Sequence, residues 1–178
     1  VKYEIDTNKS TLHWYGYKVT GQHDGNVNIN NGYVILNSSS SIISDAYIEI
    51  DMNSISVSDI KSEKWNKKLV DHLKDDDFFG IDLFPYATLL VTSVQKYQSK
   101  LTPQYNVKMD GEITIKGIKR PISILSNLSY ENGYRAMGTL KIDRTEFDIE
   151  YKSKSIFPDI GNKFIYDEFT LDFDFYTK

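Results

Sequence analysis

The sequence predicts an all-β protein with one inserted α-helix, and three observations predict it. Apolar and polar residues alternate with period 2 through most of the chain, as in antiparallel strands with one buried and one wet face. The chain holds 13 Tyr, 9 Phe and 2 Trp, and aromatic side chains favour half-buried sheet surfaces. Apolar residues recur at helical spacing in a single window, residues 58–77.

The alternation predicts about eight strands, and five stretches are clearest. In the first long strand, Leu12, Trp14 and Gly16 share a face. The apolar faces of the other four are Ala46, Ile48, Ile50 and Met52; Val107, Met109, Gly111, Ile113 and Ile115; Tyr134, Ala136, Gly138, Leu140 and Ile142; and Ile165, Phe169, Leu171, Phe173 and Phe175. Such strands with hairpin turns are typical of a sandwich or a barrel, and periodicity does not separate the two.

Glycine-containing pairs indicate the turns between these strands. The turn signals are Asn31-Gly32, Asn132-Gly133 and Gly161-Asn162. The second of them lies between two alternating runs and is the strongest hairpin signal. Gly111 is expected inside a strand instead, where glycine permits a bulge or a tight bend. The serine-rich residues 38–41 are predicted to form a loop.

The helical window is expected to pack one face on the sheet. Its apolar residues are Trp65, Leu69 and Leu73, and we expect these three to face the sheet. Between them lie Lys64, Lys67 and Lys68, which are expected to remain in water. Ser58 or Ser62 is a suitable N-cap, and Asp59 and Glu63 suit the positive end of the helix dipole.

Composition bounds the class of protein. With 178 residues the chain is expected to form one domain over residues 1–178, with a sizeable core. A net charge of -4 argues against nucleic acid, since a phosphate binder needs a basic face. The absence of cysteine excludes disulfides and thiolate chemistry. The sequence contains no run of 18 apolar residues, so no membrane-spanning helix is predicted. The chain begins at Val1 rather than Met, which is typical of a removed leader or of a trimmed chain.

Catalytic signatures are absent from the sequence. The histidines at positions 13, 23 and 72 do not have H-x-x-x-H metal-ligand spacing, although a site assembled in space stays open. No G-x-S-x-G elbow or glycine-rich phosphate loop is present. The carboxylates lie on wet faces, where their pKa has little reason to shift. We therefore expect no enzyme activity, no metal and no cofactor.

Several motifs appear in a characteristic order. They are Trp14 to Gly25 (W-Y-G-Y-K-V-T-G-Q-H-D-G), His72-Leu73, Phe78-Phe79, Phe84-Pro85, Gly111 to Gly117 (G-E-I-T-I-K-G) and Arg144 to Phe147 (R-T-E-F). No motif is specific alone, but in this order over residues 3–175 they resemble the YceI-like family, the lipocalin-like polyisoprenoid-binding proteins of bacteria. The resemblance implies a lipocalin-like, antiparallel up-and-down β-barrel with the helix inserted partway. A barrel of about eight strands has room inside for side chains or one small ligand.

The resemblance also implies site residues. The polar candidates at the barrel mouth are Lys18, His23 and Arg144. The alternatives are a salt bridge to an acidic residue for each of the two cations and a turn held by hydrogen bonds for His23. Trp14 and Phe79 are expected to close the barrel or contact the ligand. The expected lumen wall is Ile48, Ile50, Ile113, Ile115, Gly138, Leu140, Phe169 and Phe173, where Gly138 would leave room.

Two functions from different classes follow. The first is a non-catalytic binding or transport protein that holds a long isoprenoid-like lipid, such as a polyprenyl or quinone-type chain, in the lumen. The second is a structural or protein-interaction module whose barrel is packed and binds nothing. The resemblance favours a periplasmic or secreted protein, with a cytoplasmic one not excluded. Oligomeric state is left open, a dimer included.

Overall fold

A computed structural model describes residues 1–37 and 43–178. The predicted serine-rich loop at residues 38–41 lies outside the described residues. The strands are β1 Lys2–Glu4, β2 Thr11–Lys18, β3 Gly21–Asn26, β4 Asn28–Leu36, β5 Ile43–Asp51, β6 Tyr86–Lys96, β7 Val107–Ile115, β8 Ile118–Tyr130, β9 Tyr134–Asp143 and β10 Glu168–Tyr176. The helix α1 spans Glu63–Lys74, and short 3-10 turns occupy Met52–Ser54, Arg144–Phe147 and Pro158–Lys163.

The described strands form one antiparallel sheet of ten strands, curled into a barrel. Their order is β1-β4-β5-β6-β7-β8-β9-β10-β2-β3. From β4 to β10 each strand pairs with the next one in the chain, which confirms the up-and-down barrel with one inserted helix. The count exceeds the expected eight because β1 has only three residues and β3 is polar and contains glycine, so neither carries a period-2 signal.

The first and last parts of the chain close the barrel at one end. Ile5, just after β1, forms a bridge with Thr177, just after β10. Next to this bridge, the backbone N–H of Asp6 donates to the carbonyl of Tyr176 at 2.7 Å. Since β10 also pairs with both β9 and β2, it joins the C-terminal hairpin to the N-terminal one.

A second contact closes the barrel at the end nearer the helix. Residues 56–58, which follow β5, bond to β3 through Ser56 N–H to the Asn26 carbonyl at 2.9 Å and Ser58 N–H to the Asp24 carbonyl at 2.8 Å. The Ser56 carbonyl accepts a hydrogen bond from Nε1 of Trp14 at 3.0 Å. A Cβ on Gly25 would lie 1.7 Å from that carbonyl oxygen, so only glycine permits this contact. The contact between β3 and residues 56–58 is called the seam.

The apolar faces predicted from alternation turn inward. Ile48, Ile50, Ile113, Ile142 and Phe173 are buried, and every other member is buried or half-buried. They build one continuous core inside the barrel.

The glycine signals divide into correct and incorrect predictions. The Asn132-Gly133 hairpin is confirmed, because Tyr130 pairs with Tyr134 across it. Gly111 lies inside β7, opposite a register shift in β6, as expected. The turn at Asn31-Gly32 is wrong, since both residues lie inside β4. A Cβ on Gly32 would lie 2.7 Å from the Tyr47 carbonyl oxygen, so this glycine permits close strand approach rather than a turn.

The Gly161-Asn162 turn is confirmed. Gly161 has a φ of 65° within the 3-10 turn Pro158–Lys163, a left-handed conformation that glycine adopts without steric cost.

Helix α1 covers one end of the barrel with a different face from the one expected. Leu73 is buried and Leu69 half-buried against the core, as predicted. Trp65 is 54% exposed, so its predicted packing on the barrel is wrong. Asn66 faces inward in its place and donates from Nδ2 to the carbonyls of Val57 at 2.8 Å and Ile60 at 3.0 Å.

We expect the two ends of this helix to respond differently to truncation. Leu73→Ala should lower the free energy of unfolding by about 2–5 kcal/mol, because a buried leucine is removed. Trp65→Ala should change it by no more than about 0.5 kcal/mol, because the indole is exposed. Urea melts of both variants check this, and equal losses would show that the helix packs differently.

The seam at Gly25 gives a second prediction, with a matched control in the same motif. Gly25→Ala forces the Ser56 backbone away, and we expect a loss of at least about 1–3 kcal/mol and a changed Trp14 environment in near-UV circular dichroism. Gly16→Ala should be tolerated, because its Cβ would lie 3.7 Å from the nearest heavy atom, on Trp14. Equal stability of the two variants would contradict the seam.

Candidate ligand-binding lumen

The barrel interior holds two apolar cavities arranged along its length. The first, the helix-side cavity, has a volume of about 120 Å³ and lies beneath Leu73 of α1 and the following Phe78 and Phe79. The second, the far cavity, has a volume of about 80 Å³ and reaches Tyr134 and Thr177 near the other end. Together they leave part of the barrel interior unfilled, and this interior is called the lumen.

Four residues belong to the walls of both cavities and separate them. They are Leu12, Ile50, Ile113 and Leu171. All four lie on inward faces of long strands, so the constriction between the cavities consists of their side chains. The two cavities are therefore neighbouring parts of one apolar channel.

The cover of the helix-side cavity comes from the segment after α1. The chain reverses there through hydrogen bonds from Phe79 N–H to the Leu73 carbonyl at 3.1 Å and Gly80 N–H to the Asp75 carbonyl at 2.9 Å. This turn directs both phenylalanine rings at the cavity, as the expected aromatic cover requires. On the outside, the His72 ring packs edge-on against Tyr151 with centroids 4.6 Å apart.

Ten of the thirteen predicted site residues lie in the cavity walls. Trp14, Ile50, Phe79, Ile113, Ile115, Arg144 and Phe169 line the helix-side cavity. Ile48, Leu140 and Phe173 line the far cavity, which Ile50 and Ile113 also reach. Whether these residues contact a ligand stays a prediction, but the structure brings them into one lumen.

The remaining three predicted residues lie outside the cavity walls. Lys18 is exposed at the end of β2, because the strand turns there toward β3. The ring of Phe173 covers Gly138: a Cβ on this glycine would meet the ring at 2.8 Å and the Leu125 carbonyl oxygen at 2.8 Å. Gly138 therefore leaves room for a neighbouring ring and not for a ligand.

His23 instead holds the segment that leads into α1. Its Nδ1 lies 2.8 Å from Oδ2 of Asp59, and Oδ1 of Asp59 accepts the backbone N–H of Asp24 at 3.1 Å. Burial alone raises the pKa of the Asp59 carboxyl, but the hydrogen bonds from His23 and Asp24 outweigh it and lower that pKa below its ordinary value. The histidine thus reinforces the seam beside Gly25, which is the structural role left open for it.

Arg144 combines burial with an unusual set of acceptors. Only 4% of it is exposed, and its guanidinium donates to three backbone carbonyls: Ile149 at 2.9 Å, Tyr166 at 3.1 Å and Ile165 at 3.1 Å. Burial lowers the pKa of this guanidinium, opposed by the carboxylates of Asp167 and Asp143. The side chain therefore binds together two chain segments that wall the helix-side cavity.

Asp167 extends this network. One of its carboxylate oxygens lies 3.8 Å from Nη2 of Arg144, and its two oxygens accept the hydroxyls of Ser153 and Ser155, each at 2.6 Å. Ser153 is fully buried. The expected salt bridge of Arg144 is thus present, but its main partners are carbonyl groups that no sequence pattern reveals.

Sequence reasoning missed several wall residues, for two reasons. Leu12 and Leu171 share faces with Trp14 and Phe173, so alternation places them on the correct side although they were not named as site residues. Ile149 lies between strands, in irregular chain without a periodic signal. Its carbonyl accepts Nη1 of Arg144 at 2.9 Å, a contact that no periodic pattern reveals.

The histidines do not assemble into a site. Each has a different carboxylate partner: His13 lies 2.8 Å from Asp24, His23 lies 2.8 Å from Asp59 and His72 lies 3.6 Å from Asp77. Over residues 1–37 and 43–178, no three histidine, aspartate or glutamate side chains are placed to hold a metal ion. In the same part of the chain, no helix is long and apolar enough to cross a membrane.

A closed antiparallel barrel with an apolar lumen and a helix over one end defines the class of lipocalin-like barrels. The family model for the YceI-like domain matches residues 3–177. The chain therefore belongs to the YceI-like family. No curated protein matches it.

Solved structures share this fold at low sequence identity. BcnA of Burkholderia cenocepacia aligns with a TM-score of 0.76 and 19% identity over 98% of this chain and 99% of that one. A polyisoprenoid-binding domain from Saccharophagus degradans aligns with a TM-score of 0.68 and 14% identity over 99% of this chain and 97% of that one. The YCEI protein of Campylobacter jejuni aligns with a TM-score of 0.56 and 18% identity over 85% of this chain and 84% of that one. These likenesses show the fold.

The Arg144 network gives a testable prediction. Arg144→Met keeps the length of the side chain but removes every donor, and we expect a loss of about 3–5 kcal/mol in the free energy of unfolding, as for other broken buried charge networks. Arg120→Met is the control: that arginine is exposed, and its change should fall within about 0.5 kcal/mol. Chemical denaturation measures both, and a loss below about 1 kcal/mol at Arg144 would contradict the bracing role.

Proposed function

We propose that this protein is a non-catalytic binding protein that holds a long, isoprenoid-like lipid in its lumen. The observation that carries the proposal is the series of two apolar cavities along the barrel, which share Ile50 and Ile113. A channel of this shape suits an unbranched or regularly branched hydrocarbon chain. A compact polar metabolite would find almost no hydrogen-bonding partner there.

Burial of hydrocarbon supplies the binding energy. Each methylene transferred from water contributes about 0.8 kcal/mol, so a long chain binds tightly without polar contacts. The guanidinium of Arg144 already donates to three carbonyls, so affinity is expected to come mainly from the hydrocarbon. The proposal therefore places the chain in the lumen and assigns Arg144 to the wall.

The volumes set a condition on binding. Cavities of about 120 Å³ and 80 Å³ are smaller than the roughly 300 Å³ at which typical small-molecule sites begin. A long chain must therefore displace side chains at the constriction, such as Ile113, or in the aromatic cover, such as Phe79. The same small volumes favour the second candidate, a packed barrel that serves as a structural or protein-interaction module.

Family membership supports the lipid over the packed barrel. A structural neighbour from Saccharophagus degradans is a polyisoprenoid-binding domain, and the chain belongs to the YceI-like family. We propose the same ligand class here. Carriage through the periplasm or outside the cell is part of the proposal and rests on the family resemblance.

The experiment compares lipid load in two variants of strand β6. Ala87 is buried and lines the helix-side cavity, so Ala87→Phe places a ring in the channel. Leu90 lies on the opposite, outward face and is 37% exposed, which makes Leu90→Phe the matched control. Mass spectrometry of organic extracts from each purified protein measures the load, and circular dichroism checks that both are folded.

We expect the wild type and Leu90→Phe to carry the same isoprenoid-like lipid and Ala87→Phe to lose most of it. Overpacking costs about 1–3 kcal/mol, which a stable barrel tolerates. If the wild type carries no lipid and takes up none from added polyprenol, the packed-barrel candidate is correct. If folded Ala87→Phe keeps its full load, the lipid binds elsewhere.

A further inference from the structure

The exposed face of α1 combines an aromatic ring with a cluster of lysines. Trp65 is 54% exposed. Nζ of Lys64 lies 5.5 Å and Nζ of Lys68 lies 5.1 Å from the centre of its ring. Lys61, in the segment just before the helix, is also exposed. These four residues, Lys61, Lys64, Trp65 and Lys68, are called the Trp65 surface.

The charge of this surface opposes that of the protein. The whole chain carries a formal charge of -4. Residues 61–71 contain four lysines and two acidic residues, Glu63 and Asp71, of which Asp71 pairs with Lys67; this leaves a charge of +2. The acidic residues 75–77 follow the other end of the helix, about 15 Å from Trp65 at 1.5 Å per helical residue. The charge therefore distinguishes the N-terminal half of α1 from its C-terminal end.

The Trp65 surface lies on the element that covers the lumen. Leu73, on the same helix, is in the wall of the helix-side cavity. The segment after Tyr151, whose ring contacts His72 of α1, repeats the combination of exposed apolar and basic residues. Ile156 is 42% and Phe157 50% exposed, with Lys154 close before them in the chain.

We propose that the Trp65 surface docks this protein on an anionic lipid bilayer. Tryptophan prefers the boundary between lipid tails and headgroups, because its ring is apolar and its N–H is polar. Lysines beside it extend their ammonium groups to lipid phosphates while their stems stay in the apolar boundary. Docked in this way, the helix-covered end of the lumen faces the bilayer.

A bilayer suits this surface better than an acidic protein partner. A protein hot spot needs a tryptophan buried in a complementary pocket and surrounded by a rim that excludes water. Trp65 projects from the helix between two charged neighbours, Lys64 and Lys68. A fluid headgroup layer accommodates such a side chain without a preformed pocket.

Vesicle binding tests the proposal. We expect the same result whether the lumen is empty or filled. Failure of the docking proposal can therefore be distinguished from failure of the proposed lipid-binding function. Purified wild type is mixed with vesicles of phosphatidylcholine, with and without phosphatidylglycerol. We expect binding only with phosphatidylglycerol, weakened by added salt. Trp65 emission should shift to shorter wavelength on binding, and this shift should be absent in Trp65→Phe, where Trp14 alone emits.

Two double variants with the same loss of charge provide the control. Lys64→Gln/Lys68→Gln should weaken binding about 25-fold, since each lysine near an anionic surface contributes about a factor of 5. Lys96→Gln/Lys100→Gln removes two exposed lysines at the far-cavity end and should bind like wild type.

Three results would overturn the proposal. They are no binding of wild type to phosphatidylglycerol vesicles, equal weakening in the two double variants, or binding without a Trp65-dependent emission shift. Retention on immobilised polyglutamate without vesicle binding would assign the surface to an acidic protein instead.

Discussion

The close approach of Ser56 to Gly25 is the contact on which the closed barrel depends. β3 is an edge strand of the sheet, and an edge strand leaves backbone donors and acceptors unpaired. The segment after β5 satisfies those of Asn26 and Asp24, but only because Gly25 has no side chain in its path. The Ser56 carbonyl then accepts Nε1 of Trp14, so one contact closes the seam and fixes a ring in the lumen wall.

Closure at this seam also fixes which side chains face the lumen. A strand that slips by one residue turns every side chain to the other face. With β2 held between β3 and β10, Leu171 pairs with Trp14 and Phe173 with Leu12, and all four side chains line the cavities. The register of the last strand and the aromatic wall are consequences of the same pairing.

Period-2 alternation and helical spacing were sufficient to predict the long strands with their inward faces and helix α1, because each depends on residues near in sequence, whereas β1 and β3 carry no such signal. The errors concern specific contacts that no periodic pattern encodes. Asn66 rather than Trp65 faces the barrel because the carbonyls of Val57 and Ile60 require its amide. Gly32 resembles a turn residue, but it serves the approach of β5. The carbonyl partners of Arg144 have no signature at all.

On the proposed function, a long chain enters a lumen that is too narrow for it, and the structure indicates which part must yield. The long strands are held by ladders of backbone hydrogen bonds on both sides, and breaking a ladder costs several bonds at once. The cover is held by the packing of Leu73 and Phe78 in the core, by the His72–Tyr151 ring contact and by Nζ of Lys116, which donates to the carbonyls of Asp76 and Asp148 at 2.7 and 3.1 Å. Because α1 and the following Phe78-Phe79 turn lack such ladders, we expect them on the proposed function to move before the sheet opens.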